Sequence, residues 1–321
     1  MDLSQVLDSL HVVQLPMRTK FRGITVREVA LIQGERGWGE FSPFIEYDDL
    51  ESKPWLDSAI EAAFGEPFTC YREAIRINGT IPELDKKEDI ARLIELYPGV
   101  DTFKIKVGSD LPRDLARIAT VRSLAPSAKL RIDVNGSWSV NDAVFNIRTI
   151  FGEVAGEYLE YVEQPVATLD ELRELKERLL VDVKLAGDEV IRKAKDPFAL
   201  QLAEAVDVVM LKVAPLGGIK RSLALATHHK LPIVVSSALD SAIGICHGLR
   251  LAAALPILDY ACGLGTGALF NEDLGHLPIV NGTITLSSLQ PNSDALANFA
   301  VPQERLEWWR DRVRRVWEVG R

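Results

Sequence analysis

The sequence predicts a modified eight-stranded (β/α) barrel of the TIM type, with an N-terminal α+β capping domain that the C-terminal segment completes. The chain has 321 residues, enough for one large domain and a smaller one. From about residue 72 onward, short apolar runs alternate with helical patterns, and charged residues end successive runs at the spacing of a barrel repeat. We expect a capping domain at residues 1–70, a barrel at 71–268 and a C-terminal segment at 269–321 that packs back on the cap.

The first segment is predicted to be rich in β-structure. Apolar runs cover His11–Leu15, Val26–Gln33 and Trp38–Phe41, and Gly34–Gly37 has the composition of a hairpin turn. The pattern over Leu50–Phe64 is helical. Residues 1 to about 65 therefore predict a small unit of strands and one helix.

The second segment repeats a strand and a helix. The predicted strands are Ala74–Asn78, Phe103–Val107, Leu130–Val134, Tyr158–Glu163, Val183–Ala186, Val206–Lys212, Ile233–Ser236 and Leu258–Cys262. Helical patterns lie between them, at Leu111–Leu124 and Val140–Val154 for example, and Thr168 with Glu171 has the spacing of a capping box. Eight such repeats favour a barrel.

An open, doubly wound sheet is the alternative fold. It normally has a glycine-rich phosphate loop after its first strand, whereas the first run here continues as Asn78–Pro82 without one. The tail Pro302–Val319 is predicted to be a helix whose tryptophans dock on another element.

Composition excludes several classes of function. A net charge of -9 argues against nucleic acid as the main partner, because phosphate binding needs a basic face. Cys70, Cys246 and Cys262 form no CxxC pair, and we interpret them as core residues of a reduced protein. The N-terminus lacks the pattern of a signal peptide, and no run approaches the roughly 20 apolar residues of a membrane span. We expect a cytoplasmic protein without a membrane partner, and the oligomeric state stays open, a monomer included.

The most informative pattern is a set of five charged residues at the ends of consecutive runs. They are Lys106, Asp133, Glu163, Asp188 and Lys212, at spacings of 27, 30, 25 and 24 residues. A βα repeat of a barrel is about 30 residues long, so the five should meet at the C-terminal mouth, where barrel enzymes have their active sites. One such aspartate alone would more often be a helix cap. Five in phase indicate a site for a small molecule, since converging charges are costly unless they bind something.

Three of these five residues predict a metal site. Asp133, Glu163 and Asp188 offer oxygen ligands with no histidine or cysteine beside them. Such a set suits Mg²⁺, with Mn²⁺ as the expected substitute, and disfavours zinc.

The second run predicts a basic catalytic group. In Lys104-Ile105-Lys106 the strand alternation directs both lysines into the barrel. Neighbouring ammonium groups lower each other's pKa, which allows a lysine to act as a general base.

These residues together resemble the enolase superfamily, and within it the o-succinylbenzoate synthases, over nearly the whole chain. Lys104-x-Lys106 resembles the motif that carries the base. Asp133-Val134-Asn135-Gly136, Glu163-Gln164-Pro165 and Asp188-Glu189 resemble the three metal motifs, and Lys212 resembles the sixth-strand lysine.

Narrower features resemble the synthases in particular. Arg131 resembles an arginine that helps to position the base, and the segments Phe21–Gly23 and Gly37–Glu40 resemble capping loops that close over substrate. Ser236–Ser241 resembles the seventh-strand loop and Gly263–Gly267 the eighth-strand end. The substrate-binding residues that the resemblance implies are Arg131, Asn135, Ser236, Ser237, Gly263, Leu264, Gly265 and Arg22.

The resemblance implies a lyase of menaquinone biosynthesis that dehydrates 2-succinyl-6-hydroxy-2,4-cyclohexadiene-1-carboxylate. It implies that Lys106 removes the proton next to the carboxylate and returns it to the leaving hydroxyl, and that Mg²⁺ stabilises the enediolate. Lys212 would hold positive charge near the opposite ring face.

Two other functions stay open. A racemase of N-acyl amino acids or an epimerase of dipeptides would use Lys106 and Lys212 on opposite faces of one carbon. Dipeptide epimerases usually have Asp-x-Asp at the eighth-strand end, where this chain has Gly263-Leu264-Gly265, and a mandelate-racemase-like enzyme needs a histidine where Ser236 stands. A barrel kept only as a scaffold would be expected to lack at least one of the five charged residues.

Overall fold

The N-terminal unit is a three-stranded antiparallel sheet covered by a helix. The computed structural model describes residues 1–320. The first elements are α1 Leu3–Asp8, β1 Leu10–Phe21, β2 Ile24–Gly34, β3 Gly37–Phe41 and α2 Asp49–Phe64. The strands lie in the order β1-β2-β3, and Gly34 pairs with Gly37 at the predicted hairpin. The predicted strands and helix are confirmed, although β1 and β2 extend further than their apolar runs because their ends are exposed.

The second unit is a curled parallel sheet with helices outside it. Its elements and those that follow are β4 Ala74–Arg76, β5 Gly79–Ile81, α3 Lys87–Glu95, β6 Thr102–Lys106, α4 Leu111–Leu124, β7 Lys129–Asp133, α5 Val140–Ile150, β8 Leu159–Glu163, α6 Leu169–Arg178, β9 Lys184–Gly187, α7 Glu189–Arg192, β10 Val208–Lys212, α8 Ile219–His229, β11 Ile233–Ser236, α9 Ala242–Ala254, β12 Thr283–Thr285, α10 Ser293–Asn298 and α11 Gln303–Glu318. Seven parallel strands follow each other in chain order from β5 to β11. This is the predicted modified barrel.

The first and last predicted strands of the barrel are wrong in detail. The run Ala74–Asn78 contains β4, which pairs antiparallel with β12, and the first barrel strand is β5. The predicted eighth strand reduces to two bridges, Ile77 with Cys262 and Ser236 with Gly263. These bridges close the barrel between its first and seventh strands. Both errors have one cause: an apolar run indicates an extended segment but not its partner.

The helices follow the predicted boundaries closely. Helix α4 has the predicted bounds, and the capping box of Thr168 and Glu171 forms at the start of α6. Helix α5 ends at Ile150 and continues as a π-helical turn, Phe151–Ala155. In the described part of the chain, no helix combines the length and apolar character needed to cross a bilayer. Cys246 and Cys262 are buried as predicted, whereas the prediction that Cys70 is a core residue is wrong, because its side chain is exposed.

The C-terminal helix packs on the N-terminal unit. Trp309 of α11 is fully buried, its ring 5.8 Å from that of Phe41 in an edge-to-face arrangement. The guanidinium of Arg312 donates to the carbonyls of Phe44 and Tyr47 at 2.9 and 2.8 Å. The docking predicted for the tail tryptophans is confirmed for Trp309.

A buried carboxyl group joins the N-terminal unit to the barrel. Glu40 of β3 accepts hydrogen bonds from the backbone N–H of Ser241 at 3.1 Å and of Gly244 at 3.0 Å, and from the Ser241 hydroxyl at 2.6 Å. These donors lie in the first turn of α9, where a helix has free N–H groups. The segment Gly37–Glu40 therefore anchors the cap on the barrel. The expectation that it closes over substrate is wrong.

Because Glu40 is buried, we expect the free energy of unfolding to fall as the pH rises. Burial and the nearby Asp240 raise the pKa of Glu40 from 4.5 to about 7. Since the folded state binds the proton more tightly than the unfolded chain, the contribution is fully present below pH 4.5 and is lost as the pH rises through 7. We expect this one group to remove on the order of 3 kcal/mol of unfolding free energy over that range.

Urea unfolding at several pH values between 4.5 and 8 checks the prediction. Glu40→Gln cannot titrate, so its free energy of unfolding should depend less steeply on pH than that of the unmodified protein. Burial also raises the pKa of Asp240, that of Asp273 to about 6 and that of Glu163 to about 7, so part of the slope should remain. Equal slopes in the two proteins would contradict the assignment to Glu40.

Candidate active site

Three of the five predicted charged residues converge, together with Lys104, because their strands pair in register. Lys106 lies beside Asp133, and Asp133 beside Glu163, on the neighbouring strands β6, β7 and β8. Lys104 and Lys106 point to the same side of β6, as predicted, and their Nζ atoms lie 3.0 and 2.8 Å from Asp133 Oδ2. Lys104 Nζ also donates to the two oxygens of Glu163, at 2.9 and 3.1 Å.

The fifth and sixth strands supply the remaining predicted pair. Asp188 follows β9 directly, and its carboxylate accepts a hydrogen bond from Lys212 Nζ at the end of β10. Arg192, one turn along α7, has Nε 3.7 Å from the other Asp188 oxygen. All five predicted residues therefore meet at the C-terminal mouth of the barrel.

Three carboxyl groups lie close together at the mouth of the barrel, and the lysines compensate their negative charge only in part. Burial, with the charges of Asp133 and Asp188, raises the pKa of Glu163 to about 7. Burial also disfavours the charged form of Asp133, but Lys104 and Lys106 outweigh it and hold the pKa of that carboxyl well below its usual range. The expectation of a lowered lysine pKa is wrong for Lys104: burial lowers it, but Asp133 and Glu163 raise the pKa well above its ordinary value.

The donor set fits a hard divalent cation. Asp133 Oδ1 and Asp188 Oδ1 are buried and accept no hydrogen bond from the part of the chain that the structure describes. A buried carboxylate oxygen without a hydrogen bond is costly unless a cation compensates its charge, and the Arg192 nitrogen near Asp188 Oδ1 stays beyond hydrogen-bonding distance, at 3.7 Å. Within residues 1–320, no three acidic, histidine or cysteine side chains are grouped closely enough to hold a metal ion, and Lys104 Nζ lies within 3.0 Å of oxygens of both Asp133 and Glu163. A cation at this point would take over the charge compensation that the lysines now provide.

A pocket of about 510 Å³ opens above these groups. This volume suits a small organic molecule. Lys104, Lys106, Asp133 and Lys212 line its floor, and the hairpin tip Lys20–Gly23 lines its outer wall. The ring centroid of Phe21 lies 5.8 Å from Lys106 Nζ, so the cap covers the lysine that is the predicted base.

The predicted substrate-binding residues divide into two groups. Those that line the pocket are Arg22, Asn135, Ser236, Ser237 and Gly263. Leu264 and Gly265 do not belong to its wall: they face a separate cavity on the side of the C-terminal segment. The hydroxyl of Ser237 donates to the Gly263 carbonyl at 2.9 Å and lies 2.8 Å from Thr266 Oγ1.

Arg131 also lies away from the pocket wall. It shares the inner face of β7 with Asp133 but precedes it by two residues, which places it about 6–7 Å deeper. Its fully buried guanidinium pairs with Glu160 at 2.6 Å and donates to Asn78 Oδ1 and the Ala261 carbonyl at 2.9 and 2.8 Å. This position indicates that Arg131 supports the barrel interior and does not contact substrate.

Replacing Arg131 should therefore affect stability. We expect Arg131→Met to lower the free energy of unfolding by about 3–5 kcal/mol, because it leaves Glu160 without its buried partner. Lys129→Met is the matched control: Lys129 lies on the same strand and pairs with the same carboxylate, but its side chain is 57% exposed. It should change stability by about 1 kcal/mol or less. Urea denaturation of both variants checks the difference, and equal losses would contradict it.

Several residues of the site were not assigned from sequence. Gln164 accepts hydrogen bonds from the backbone N–H groups of Asp188 and Val190 at 3.0 and 3.3 Å, and so holds the turn that carries Asp188. Glu189 accepts from Asn135 at 3.2 Å and from Arg192 at 3.0 Å, and Asn135 in turn accepts from Lys106. Gln164 and Glu189 lie inside two of the motifs quoted from the sequence, directly after Glu163 and Asp188, and that adjacency could have indicated their roles.

Comparison with known proteins places this geometry among the enolase-like folds. Residues 12–63 match the family model described as Enolase N-terminal domain-like, and residues 88–291 match Enolase C-terminal domain-like. The chain is 48% identical over 315 residues to the o-succinylbenzoate synthase of Mycolicibacterium smegmatis, covering 97% of this chain and 96% of that one. It is 48% identical to the o-succinylbenzoate synthase of Mycobacterium leprae, with 99% and 94% covered. The muconate lactonizing enzyme of Pseudomonas fluorescens, solved with muconolactone, has the same fold, with a TM-score of 0.77 at 20% identity over 91% of this chain and 98% of that one.

Proposed function

The chain belongs to the o-succinylbenzoate synthases of the enolase superfamily, and we propose that the mouth of its barrel carries out their reaction. It is a lyase of menaquinone biosynthesis that removes water from 2-succinyl-6-hydroxy-2,4-cyclohexadiene-1-carboxylate to give 2-succinylbenzoate. One observation carries the assignment of residues: Lys106 and Asp133 line the same pocket beneath a hairpin of the cap, and the buried carboxyl group of Glu163 lies close enough to those of Asp133 and Asp188 that their charges interact. A lysine beside a set of oxygen ligands suits proton removal next to a carboxylate.

Members of the enolase superfamily depend on a divalent metal ion, and we propose that Asp133, Glu163 and Asp188 hold it in this chain. The proposed ion is Mg²⁺, with Mn²⁺ as a substitute, because all three ligands are carboxylates. When bound, the ion supplies positive charge that stabilises the negative charge developing on the substrate carboxylate. The buried oxygens of Asp133 and Asp188 that accept no hydrogen bond support this placement for the described chain.

Lys106 is the proposed catalytic base. In its neutral form, its Nζ removes the proton from the ring carbon that bears the carboxylate, and the electron pair of that C–H bond moves into the carboxylate to give an enediolate. When the electrons return, a ring double bond forms and the neighbouring C–O bond breaks. The ammonium of Lys106 then gives the proton to the departing hydroxide, so that water leaves and the ring becomes aromatic.

The other lysines and the pocket wall have supporting roles in this proposal. Lys212, on the other side of the mouth, keeps a positive charge near the enediolate, since burial lowers its pKa but Asp188 and Glu189 raise it above the ordinary value. Lys104 holds Asp133 and Glu163 in place through its two ion pairs. Arg22, Asn135, Ser236, Ser237 and Gly263 line the space for the substrate.

An ultraviolet assay for 2-succinylbenzoate, run with Mg²⁺, tests the proposed function. A racemisation assay on N-succinyl amino acids, run beside it, tests the alternative in which Lys106 and Lys212 act on opposite faces of one carbon. We expect dehydration to proceed with the higher kcat/KM. Racemisation without dehydration would overturn the proposal.

A further inference from the structure

One wall of the pocket is formed by a leucine in an unusual backbone conformation. Leu239 lies in the loop between β11 and α9, lines the pocket and is only 2% exposed. Its φ of +64° falls in the left-handed region, which residues with a side chain rarely adopt. A bulky residue keeps such a conformation only when its surroundings hold it there.

The group that holds it comes from the capping domain. Arg27 of β2 donates from Nε to the Leu239 carbonyl at 3.1 Å, across a separation of 212 residues. Its Nη2 donates to the Ser42 carbonyl, and its guanidinium lies 4.3 Å from the ring centroid of Phe44, another residue of the pocket wall. Arg27 is itself 2% exposed. One buried side chain therefore connects the barrel wall of the pocket to its cap wall.

Two buried carboxyl groups, one from each domain, lie near this arginine. Burial lowers the pKa of Arg27, and the charges of Glu40 of the cap and Asp240 of the barrel loop oppose this lowering. Asp240 Oδ2 also accepts from the Ala238 N–H at 3.2 Å, and Glu40 fixes the start of α9 just beyond the loop. The loop is thus fastened on either side of Leu239, and Arg27 supplies the contact at Leu239 itself.

We infer that Arg27 is a positioning residue that holds Leu239 in its left-handed conformation, and that Leu239 determines substrate fit by packing against the apolar part of the substrate. The inference rests on the proposed function for the identity of that substrate. Leu239, Phe44 and Trp55 give this part of the pocket apolar surface, which suits ring carbons or methylene groups, and the guanidinium of Arg22 lies 4.0 Å from the ring centroid of Phe44. Arg27 contacts the backbone of the loop, so it acts through Leu239.

A methyl NMR experiment tests the positioning independently of activity. With leucine methyl groups labelled, the Leu239 signals are identified as those missing from Leu239→Ala. They should shift in Arg27→Met and less in Arg27→Lys, which keeps the charge but not the planar, two-sided donor. The matched control is Arg72→Met, because Arg72 also binds backbone carbonyls, those of Ala252 and Leu255, but at the far end of α9. Leu239 signals that stay in place in both Arg27 variants would overturn the inference.

A double-mutant cycle tests the connection to substrate. Arg27→Met and Leu239→Ala should each raise KM roughly tenfold with a smaller change in kcat, and the double variant should be little worse than the poorer single one. Arg72→Met should leave KM unchanged. If the increases in KM of the two single variants multiply in the double variant, Arg27 does not act through Leu239. The inference then fails, although the unmodified enzyme is active. If Arg27→Met does not fold, Arg27→Lys takes its place in the cycle. If the unmodified protein does not form 2-succinylbenzoate, the proposed function is refuted. The NMR experiment then still decides whether Arg27 positions Leu239.

Discussion

Lys106→Ala is expected to lower kcat for formation of 2-succinylbenzoate by about 10²- to 10⁴-fold, the range that a positioned general base contributes. The expectation rests on the place of Lys106 Nζ, 2.8 Å from Asp133 and beneath Phe21 of the cap. If the same group also returns the proton to the leaving hydroxyl, both proton transfers are lost together. Steady-state assays at saturating substrate and Mg²⁺ measure the effect.

The fold should survive this replacement, and that separates lost chemistry from lost structure. Lys104 still pairs with Asp133 at 3.0 Å in the variant, so the carboxylate keeps a buried partner. Thermal unfolding and Mg²⁺ binding should therefore change little. Lys87→Ala, at an exposed position in α3, is the control for loss of a lysine. Activity within tenfold of the unmodified protein would remove Lys106 as the base.

The site could be predicted from the sequence because a barrel repeats its geometry. Every βα unit returns the chain to the same mouth, so the spacing from Lys106 to Lys212 already implied that the five charged residues would meet. Alternation along β6 placed Lys104 beside Lys106 for the same reason. Alternation gives the face of a strand but not the depth, so it could not show that Arg131 lies below the pocket.

What the sequence could not predict depends on contacts between distant parts of the chain. The sequence around Arg27 is that of an ordinary exposed strand residue and gives no sign of its hydrogen bond to Leu239. The sequence around Leu239 likewise does not indicate a left-handed backbone conformation. Glu40 lies in a segment that resembles a capping loop, yet its carboxyl group accepts a hydrogen bond from a backbone N–H in the first turn of α9. These contacts join the cap to the barrel. The periodic pattern of apolar residues indicates helices and strands, but it does not show which residues of two domains contact each other.

Glu163→Gln is expected to weaken Mg²⁺ binding by about a hundredfold or more, because replacing even an outer-shell partner of a metal ligand costs 10- to 100-fold. Glutamine keeps the volume of Glu163 and an oxygen that can accept from Lys104, so the loss should come from charge and not from packing. Calorimetric titration of metal-stripped protein with MgCl₂ measures the dissociation constant, and kcat at low Mg²⁺ should fall with it. Glu160→Gln is the matched control on the same strand: its carboxylate faces Arg131 and Lys129, so it should cost stability but leave Mg²⁺ affinity unchanged. Equal Mg²⁺ affinity in Glu163→Gln and the unmodified protein would exclude Glu163 as a ligand, and with it the proposed metal site.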